Sequence, residues 1–260
     1  MFNPLSGIKL KDFFPPVIEK IAQKVENRLN TTLFKGKRGA FRYVPTSVNP
    51  SWILDIGAAD GATARDALDS YSSTRVVSVE PTKSTFEKLT RNLARYGDRV
   101  IYINKAISDY CGEGEINVTS SMYANSLCEQ TDLYNEVNPQ IKQICREKIE
   151  VVTLDNSDPI IQDTFFDIVK IDVEGLEMKV LNGGEHFFRN NVDIVLLEMS
   201  LARDESWEKQ SYLEICNRMN ELGFRLINVY DVQNSTSRTN QNNLMMSQMD
   251  GVFRHISKIE

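Results

Sequence analysis

From residue 51 onward, short apolar runs alternate with longer stretches in which apolar residues recur at helical spacing, as Phe86, Leu89 and Leu93 do. The apolar runs predict strands at 52–56, 76–80, 100–104, 167–172, 193–199 and 224–230. The amphipathic stretches predict helices at about 61–70, 82–96, 175–190 and 206–222. Because strands that alternate with helices pair in parallel through right-handed crossovers, this pattern predicts an α/β fold with a mostly parallel, Rossmann-like sheet.

The C-terminal region breaks this alternation. The predicted strand at 224–230 is followed by a stretch rich in Asn, Ser, Thr and Gln, and then by a second apolar run at 252–256. No helical pattern separates the two runs, and strands joined without a crossover helix pair antiparallel. We therefore predict an antiparallel last strand.

Residues 106–150 also depart from simple alternation. Two short strands are predicted at 106–110 and 115–119, on either side of a turn that contains glycine. The following residues, 120–148, are polar and irregular, and a short helix is expected around 139–147. We predict that this hairpin and lid insertion covers the carboxyl ends of the strands; surface decoration is the alternative.

A separate segment precedes the sheet pattern. Residues 15–29 predict a helix that opens with proline, carries an apolar face and has basic side chains near the other face. Residues 1–42 hold nine Lys and Arg against three acids, a net charge of +6. Two interpretations stay open: the helix packs on the sheet domain or on a second subunit of a homo-oligomer, or it lies against an anionic membrane surface. The chain thus divides into an N-terminal extension, 1–48, and a sheet domain, 49–260.

Charge and cysteine content narrow the function classes. The net charge of the whole chain is −6, which argues against nucleic acid as a partner, because such binders neutralise phosphates with basic residues. The four cysteines and two histidines lack metal-ligand spacing, so free thiols in a reducing compartment are expected. No signal peptide or membrane-spanning run is visible. These features predict a cytoplasmic location, at the inner membrane face if the N-terminal helix binds lipid.

The turn after the first predicted strand carries the strongest chemical signal. Asp55 lies near the end of the apolar run, Gly57, Ala59 and Gly61 follow in a turn of small residues, and Glu80 ends the next strand. Small residues let a ligand approach the backbone, and an acid at the second strand end accepts hydrogen bonds from both ribose hydroxyls. The third glycine of the dinucleotide fingerprint is missing, so an adenosyl ligand without phosphates, such as S-adenosylmethionine (SAM), fits better. An ordinary strand–turn–helix is the alternative.

A second group of polar residues lies at later strand ends. Lys170 and Asp172 share a face of one predicted strand, Glu174 follows in the loop, and Glu198 ends the next strand. Because ligands bind outside the carboxyl ends of such strands, the three acids are expected to meet at the site. They could supply a general base whose pKa is raised by burial and repulsion, hold a divalent cation, or only cap a helix. For Lys170, a purely structural ion pair is the alternative.

Four blocks of the sequence occur in the order found in one enzyme family. They are 54–61, 79–81, 104–109, and 169–177 with 180–184. With these blocks, of which Lys-Ile-Asp-Val-Glu-Gly at 170–175 is the specific one, the chain resembles the FkbM family of SAM-dependent methyltransferases over about residues 50–257. Weaker matches lie at 152–155 and 250–253. The resemblance implies a class I methyltransferase fold and methyl transfer to a hydroxyl of a sugar, a surface glycan or a similar small natural product.

The resemblance also assigns residues to the cofactor. The small-residue turn would line the methionine moiety of SAM, Glu80 the ribose, and 104–106 the adenine side. The cofactor-binding candidates are Asp55, Gly57, Ala58, Ala59, Gly61, Glu80, Pro81, Asn104, Lys105 and Ala106.

For the reaction, we predict that Asp172 or Glu174 takes the proton of the acceptor hydroxyl and that Lys170 fixes the carboxylate. Metal binding by Asp172, Glu174 and Glu198 is the weaker alternative, so a divalent metal requirement stays open. Two other function classes also stay open: a nicotinamide-dependent oxidoreductase on a related sheet, and a non-catalytic SAM-binding scaffold protein. The missing third glycine argues against the oxidoreductase.

Overall fold

The computed structural model describes residues 36–127, 140–200, 211–236 and 245–259. The helix predicted at 15–29 lies outside the described residues, so its two predicted roles stay predictions. Within the described ranges, no helix is both long and apolar enough to cross a lipid bilayer.

The described residues form ten strands and six α-helices. The strands are β1 (Trp52–Ile56), β2 (Arg75–Val79), β3 (Val100–Ile103), β4 (Ala106–Ile107), β5 (Gly112–Thr119), β6 (Gln143–Val152), β7 (Phe166–Ile171), β8 (Val192–Ser200), β9 (Phe224–Thr236) and β10 (Met245–His255). The helices are α1 (Ala62–Ser70), α2 (Lys83–Leu93), α3 (Pro159–Gln162), α4 (Glu177–Asn182), α5 (Glu185–Asn191) and α6 (Tyr212–Glu221). Short 3₁₀ helices include Gly39–Tyr43 and Met122–Ala124.

The larger sheet has seven strands in the order β3-β2-β1-β7-β8-β10-β9. Neighbours from β3 to β8 pair in parallel, whereas β10 lies between β8 and β9 and pairs antiparallel with both. This arrangement confirms the mostly parallel α/β fold and the antiparallel last strand. Because β1, β2 and β7 run the same way, the residues after their carboxyl ends lie at one edge of the sheet.

The central strands are buried on both faces. Leu54 and Val169 belong to the core beneath α4, α5 and α6, while Ile53 and Ile168 belong to the core beneath α1 and α2. Strands of a parallel sheet that are covered on both faces have near-continuous apolar sequences, which is why the runs were recognisable. These two cores hold the strand ends in place, and the site is built on those ends.

The short helix expected around 139–147 is wrong. The chain from Gln143 onward is strand β6, in which the buried Ile149 and Val151 alternate with the exposed Lys148 and Glu150. That alternation of period two is the signature of a strand with one buried face. The first half of β6 is polar and lacks this alternation, so the sequence pattern did not indicate a strand.

The hairpin predicted at 106–110 and 115–119 is also wrong in its pairing. A smaller, three-stranded sheet has the order β4-β6-β5, so β6 lies between the two predicted partners. β4 pairs parallel with β6, and β5 pairs antiparallel with it. The strand that pairs with β4 and β5 is β6, which follows the irregular segment in the chain. Turn signals between β4 and β5 carry no information about so distant a partner.

The single helix predicted at 175–190 is two helices, α4 and α5. The pair Gly183 and Gly184 separates them. A Cβ on Gly183 would overlap the backbone carbonyl oxygen of Ser108, so the break also lets the chain pass close to the segment after β4. Apolar periodicity continues across the break, which explains why the sequence indicated one helix.

Candidate active site

A cleft of about 680 Å³ lies at the carboxyl ends of β1, β2 and β7. Its walls are the turn after β1, the loop after β2, parts of β4 and β5, the segment 122–127 and the loop after β7. This sheet edge is where open α/β sheets bind ligands. We call the segment 122–127 the lid strip.

The turn after β1 is held tightly against its surroundings. Gly57, Ala59 and Gly61 all have positive φ angles, of 79°, 46° and 86°. The N–H groups of Gly57 and Ala58 both donate to the carbonyl oxygen of Val79, at 3.0 Å. A Cβ on Gly61 would lie 2.9 Å from side-chain atoms of α2. The turn therefore requires glycine for its conformation and its packing, and it exposes the backbone to the cleft.

Glu80 is buried on the cleft wall. Its carboxylate accepts a hydrogen bond from the Thr82 N–H at 2.9 Å and from the Ala59 N–H at 3.1 Å. Burial raises the pKa of Glu80 to about 7, although these two N–H donors oppose the shift. The Thr82 hydroxyl also hydrogen-bonds to this carboxylate, which keeps capacity on the cleft wall to accept a further hydrogen bond from a ligand hydroxyl.

Asn104 is exposed and does not line the cleft; instead it fixes the loop after β2. Its side-chain amide donates to the carbonyl oxygens of Glu80 and Pro81, at 2.8 and 2.9 Å. Lys105 and Ala106 do line the cleft. The ammonium of Lys105 pairs with Glu150 on β6 and with Asp158, at 3.1 and 3.3 Å.

Asp55 lies behind the cleft wall rather than on it. Its side chain is 1% exposed, and within the described part of the chain its Oδ2 atom has no hydrogen-bond partner. Burial raises the pKa of Asp55 to about 7, while the nearby charge of Lys170 and the Ala64 N–H at the start of α1 oppose the shift. Ala58 and Gly61 are also off the wall. The cofactor-binding candidates that line the cleft are Gly57, Ala59, Glu80, Pro81, Lys105 and Ala106.

Lys170 joins the cleft to the interior of the sheet. Its Nζ lies 3.3 Å from Asp172 Oδ2 and 3.3 Å from Asp250 Oδ1. Asp172 is on the cleft wall and its side chain is 40% exposed, whereas the Lys170 side chain is only 7% exposed. Burial by itself would lower the pKa of Lys170, but the charges of Asp172 and Asp250 outweigh it and hold that pKa well above its ordinary value. The ammonium is therefore charged at neutral pH.

The loop after β7 is shaped by its own acids. Glu174 lines the cleft with a φ angle of 52°, and its carbonyl oxygen accepts a hydrogen bond from the Ser126 hydroxyl at 2.9 Å. The buried Glu177 accepts from the Gly175 N–H at 3.1 Å and so closes the loop. Glu198 does not line the cleft; it pairs in register with Asp250.

The three acids predicted to converge do not form one site. Among the described residues, no group of three or more His, Cys, Asp or Glu side chains is arranged to hold a metal ion. The alternative in which Asp172, Glu174 and Glu198 share a cation therefore has no geometric support here. Asp172 instead pairs with Lys170, at 3.3 Å.

Sequence reasoning missed two parts of the site. The lid strip contributes Met122, Tyr123, Asn125, Ser126 and Leu127 to the cleft wall, although the sequence placed only an irregular segment there. Asp250 was visible only as part of the weak match at 250–253, with no signal that it would approach Lys170. Both arrive through pairings between distant segments.

Comparison with known proteins identifies the family. The family model described as the Methyltransferase FkbM domain matches residues 55–226, which include the end of β1, the turn after it and the whole 169–177 block. The chain belongs to the FkbM methyltransferase family. This family consists of SAM-dependent methyltransferases, so the resemblance drawn from the sequence is confirmed. A comparison with curated proteins gives no match.

Solved structures show the same fold. The chain is similar to the methyltransferase FkbM from Methylobacillus flagellatus, with 14% identity and a TM-score of 0.50. That alignment covers 85% of this chain and 50% of the other, so the chain spans about half the length of this relative. The similarity supports the class I methyltransferase fold.

Two further structures align less closely. A SAM-dependent methyltransferase from Leishmania major has 13% identity, a TM-score of 0.46, and coverage of 90% of this chain and 76% of its own. The O-methyltransferase from a trans-AT PKS multienzyme of Brevibacillus brevis, in complex with S-adenosyl-L-homocysteine, has 12% identity, a TM-score of 0.42, and coverage of 86% and 62%.

The cleft of this FkbM methyltransferase family member suits the family's cofactor. Gly57 and Ala59 of the turn after β1 line the cleft wall, and these small residues let a ligand lie close to the backbone there. The buried Glu80 carboxylate has unused acceptor capacity on the cleft wall, as a ribose diol requires. The donor set therefore fits SAM.

Proposed function

We propose that this protein is a SAM-dependent O-methyltransferase that acts on a hydroxyl group of a sugar, a surface glycan or a similar small natural product. The observation that carries the proposal is the placement of Asp172 and Glu80 on the wall of one cleft, with Asp172 paired to Lys170. Glu80 provides a ribose acceptor, and Asp172 provides a carboxylate for the acceptor hydroxyl. Family membership supports methyl transfer as the reaction class.

The residues that line the cleft suggest which part of SAM each would contact. Gly57 and Ala59 would contact the methionine moiety, Glu80 would accept the ribose hydroxyls, and Lys105 and Ala106 would lie on the adenine side. When bound, SAM supplies a methyl group already activated by its sulfonium. The remaining task of this chain is to position a hydroxyl and remove its proton.

Asp172 is the residue we assign to that proton. It lies on the wall, and Lys170 and the sheet fix its carboxylate from behind. With SAM bound, Asp172 would accept the proton of the acceptor hydroxyl as that oxygen receives the methyl group that SAM would supply. Glu174 is the second candidate for the base, because it also lines the cleft.

The part of the cleft wall around Asp172, which we call the acceptor side, supports a hydroxylated acceptor. Polar groups of Asn125, Ser126, Asp172 and Glu174 are part of its wall beside the apolar Leu127 and Leu176. Several hydrogen-bonding groups around one apolar patch are typical of sites that bind sugars and similar polyols. The cleft is closed on that side by the hydrogen bond from Ser126 to Glu174.

The nicotinamide alternative is not favoured. Dinucleotide sites hold a pyrophosphate against a third glycine at the start of the helix, and this chain has neither that glycine nor a basic residue in the turn. Instead, the acidic Asp60 lies in the turn, paired with Lys88 at 3.7 Å. Thermal-shift assays should show stabilisation by S-adenosylhomocysteine and none by NAD.

The direct test uses SAM with a labelled methyl group and a panel of nucleotide sugars and glycans, read by mass spectrometry. We expect a mass gain of one methyl group on a hydroxylated acceptor. Asp172→Asn should lower turnover by about a hundredfold or more while binding of S-adenosylhomocysteine changes little. The control is Asp163→Asn, which removes an exposed carboxylate beyond α3. Equal loss of turnover and cofactor binding in Asp172→Asn would refute the base role, and cofactor binding without transfer to any acceptor would favour the scaffold alternative.

A further inference from the structure

Asp250 lies deep in the sheet, next to the site but not in it. On β10 it pairs in register with Glu198 of β8 on one side and with Tyr230 of β9 on the other. Its side chain is 18% exposed, and it does not line the cleft. Asp250 pairs with Lys170, at 3.3 Å.

Lys170 is thus shared equally between two carboxylates. Its Nζ lies 3.3 Å from one oxygen of Asp172 and 3.3 Å from one oxygen of Asp250. A carboxylate that holds an ammonium alone is a poor base, because the ion pair stabilises its charged form. A second carboxylate on the same ammonium weakens that stabilisation and adds repulsion between the two acids.

We propose that Asp250 is a positioning residue for methyl transfer, which holds the Lys170 ammonium between two carboxylates so that Lys170 fixes Asp172 at the cleft wall without serving it alone. The proposal rests on the function proposed above. Asp250 acts through Lys170 and touches neither the acceptor nor the cofactor. In the reaction the hydroxyl proton goes to Asp172, and Lys170 remains charged throughout.

Other charged and titratable groups surround Lys170. Asp55 on β1 lies in register with Lys170 on the neighbouring strand, and burial raises its pKa to about 7. Glu198 on β8 and Tyr230 on β9 contribute to the field at Lys170 from the other side. These groups stay in place when Asp250 alone is changed, so a variant of Asp250 isolates its contribution.

The test follows the carboxyl carbon of Asp172 by NMR in ¹³C-aspartate-labelled, unliganded protein, with the resonance assigned from its loss in Asp172→Asn. Asp250→Asn should lower the titration midpoint of Asp172 by about one pH unit, because the ammonium then serves Asp172 alone. Asp250→Glu keeps the charge and should restore the wild-type midpoint. The matched control is Asp193→Asn, which breaks another ion pair of β10, from Arg254 to Asp193 on β8 at 3.2 Å, away from Lys170.

A merely structural role would destabilise both asparagine variants without moving the Asp172 midpoint, and that result would overturn the proposal. If Asp250→Asn does not fold, Asp250→Ser takes its place in the same measurement, with the same two outcomes.

An activity arm uses the nucleotide sugar that the wild-type protein methylates fastest among UDP-glucose, UDP-galactose and GDP-mannose. Asp250→Asn should lower kcat about threefold to tenfold and shift the acid limb of the pH profile downward, with the Kd for S-adenosylhomocysteine unchanged. An unshifted acid limb contradicts the proposal. If no sugar is methylated and S-adenosylhomocysteine does not bind, the proposed function fails, while the NMR result still decides the role of Asp250.

Discussion

Gly57 packs directly against the backbone of Asp172, so that a Cβ added to Gly57 would overlap the Asp172 carbonyl oxygen. The N–H of Asp172 meanwhile donates to the carbonyl oxygen of Ile56 at 3.0 Å. The cofactor turn after β1 and the reaction loop after β7 therefore share one contact. A change at either position is transmitted to the other, which ties cofactor binding to the placement of the proposed base.

Gly57→Ala should lower the free energy of unfolding by at least about 3 kcal/mol and abolish binding of S-adenosylhomocysteine. The new methyl group has no space, and the φ angle of 79° is unfavourable for alanine. Chemical denaturation and calorimetry measure the two effects. Gly36→Ala is the matched control, because Gly36 has a φ angle of 80° with nothing within 4 Å of the added Cβ. It should cost only about 1 kcal/mol; similar losses in both variants would contradict the packing argument.

Glu80→Gln should weaken S-adenosylhomocysteine binding by about tenfold or more, because a charged acceptor for the ribose hydroxyls is lost. In the wild-type protein, binding should strengthen as the pH rises toward and through about 7, since burial raises the pKa of Glu80 to that value and the ionised form accepts hydroxyls best. Calorimetry from pH 6 to 8.5 tests both. The exposed Glu87→Gln should keep the wild-type pH dependence, and a Glu80→Gln variant that also keeps it would argue against ribose contact.

Asp55 should make the unliganded protein less stable as the pH rises. Burial raises its pKa from 3.8 to about 7, so the folded state holds a proton that the unfolded state has lost. The resulting stability is complete below about pH 4 and disappears as the pH passes through about 7. Asp55→Asn should reduce the loss of unfolding free energy between pH 5 and 8.5 by on the order of 2 kcal/mol. The exposed Asp98→Asn is the control; an equal slope in all three proteins would show that Asp55 is not protonated in the fold.

Lys170→Met should cost about 3 kcal/mol of unfolding free energy, because it leaves Asp250 and the partly exposed Asp172 without their shared cation. Adding Asp250→Asn to this variant should recover part of the loss. Lys105→Met, whose partner Glu150 is 58% exposed, should cost no more than about 1 kcal/mol. Urea denaturation at pH 7 measures the free energy of unfolding of the wild-type protein and of the three variants. No recovery in the double variant would mean that Lys170 and Asp250 are not coupled.

Ser126→Ala should loosen the lid strip over the acceptor side of the cleft. It removes the hydrogen bond from Ser126 to the carbonyl oxygen of Glu174, a net contribution of about 1 kcal/mol. We expect the KM for the acceptor to rise about fivefold while the Kd for S-adenosylhomocysteine stays near the wild-type value. Ser84→Ala on the exposed face of α2 serves as the control. An unchanged acceptor KM would show that the lid strip does not contact the acceptor.

The positions of the parallel strands and the main site residues could be predicted from the sequence because they depend on local patterns. Buried parallel strands are continuous apolar runs, and their carboxyl ends must lie at one sheet edge. The sequence therefore predicts that Gly57, Glu80 and Asp172 lie at the same edge of the sheet. Whether they bind and react as proposed stays a prediction.

Asp55 shows that a position near a strand end does not by itself place a side chain in the cleft. The sequence put it with the cofactor residues, whereas the structure turns its side chain toward α1, away from the cleft wall. Successive side chains of a strand face opposite sides, and which side borders the ligand depends on the layers packed above and below. The predicted meeting of Glu174 and Glu198 in the site is not found either, since Glu174 lines the cleft and Glu198 does not.

The sequence by itself determined the alternating α/β order, the small-residue turn and the acids at the strand ends, since each of these is encoded within a few neighbouring residues. Only the tertiary structure decided that β6 lies between β4 and β5, and that β10 enters between β8 and β9 and brings Asp250 to Lys170. Pairings of this kind join segments far apart in the chain. Their energy comes from contacts formed only after folding, so they leave no periodic trace in the sequence of either partner.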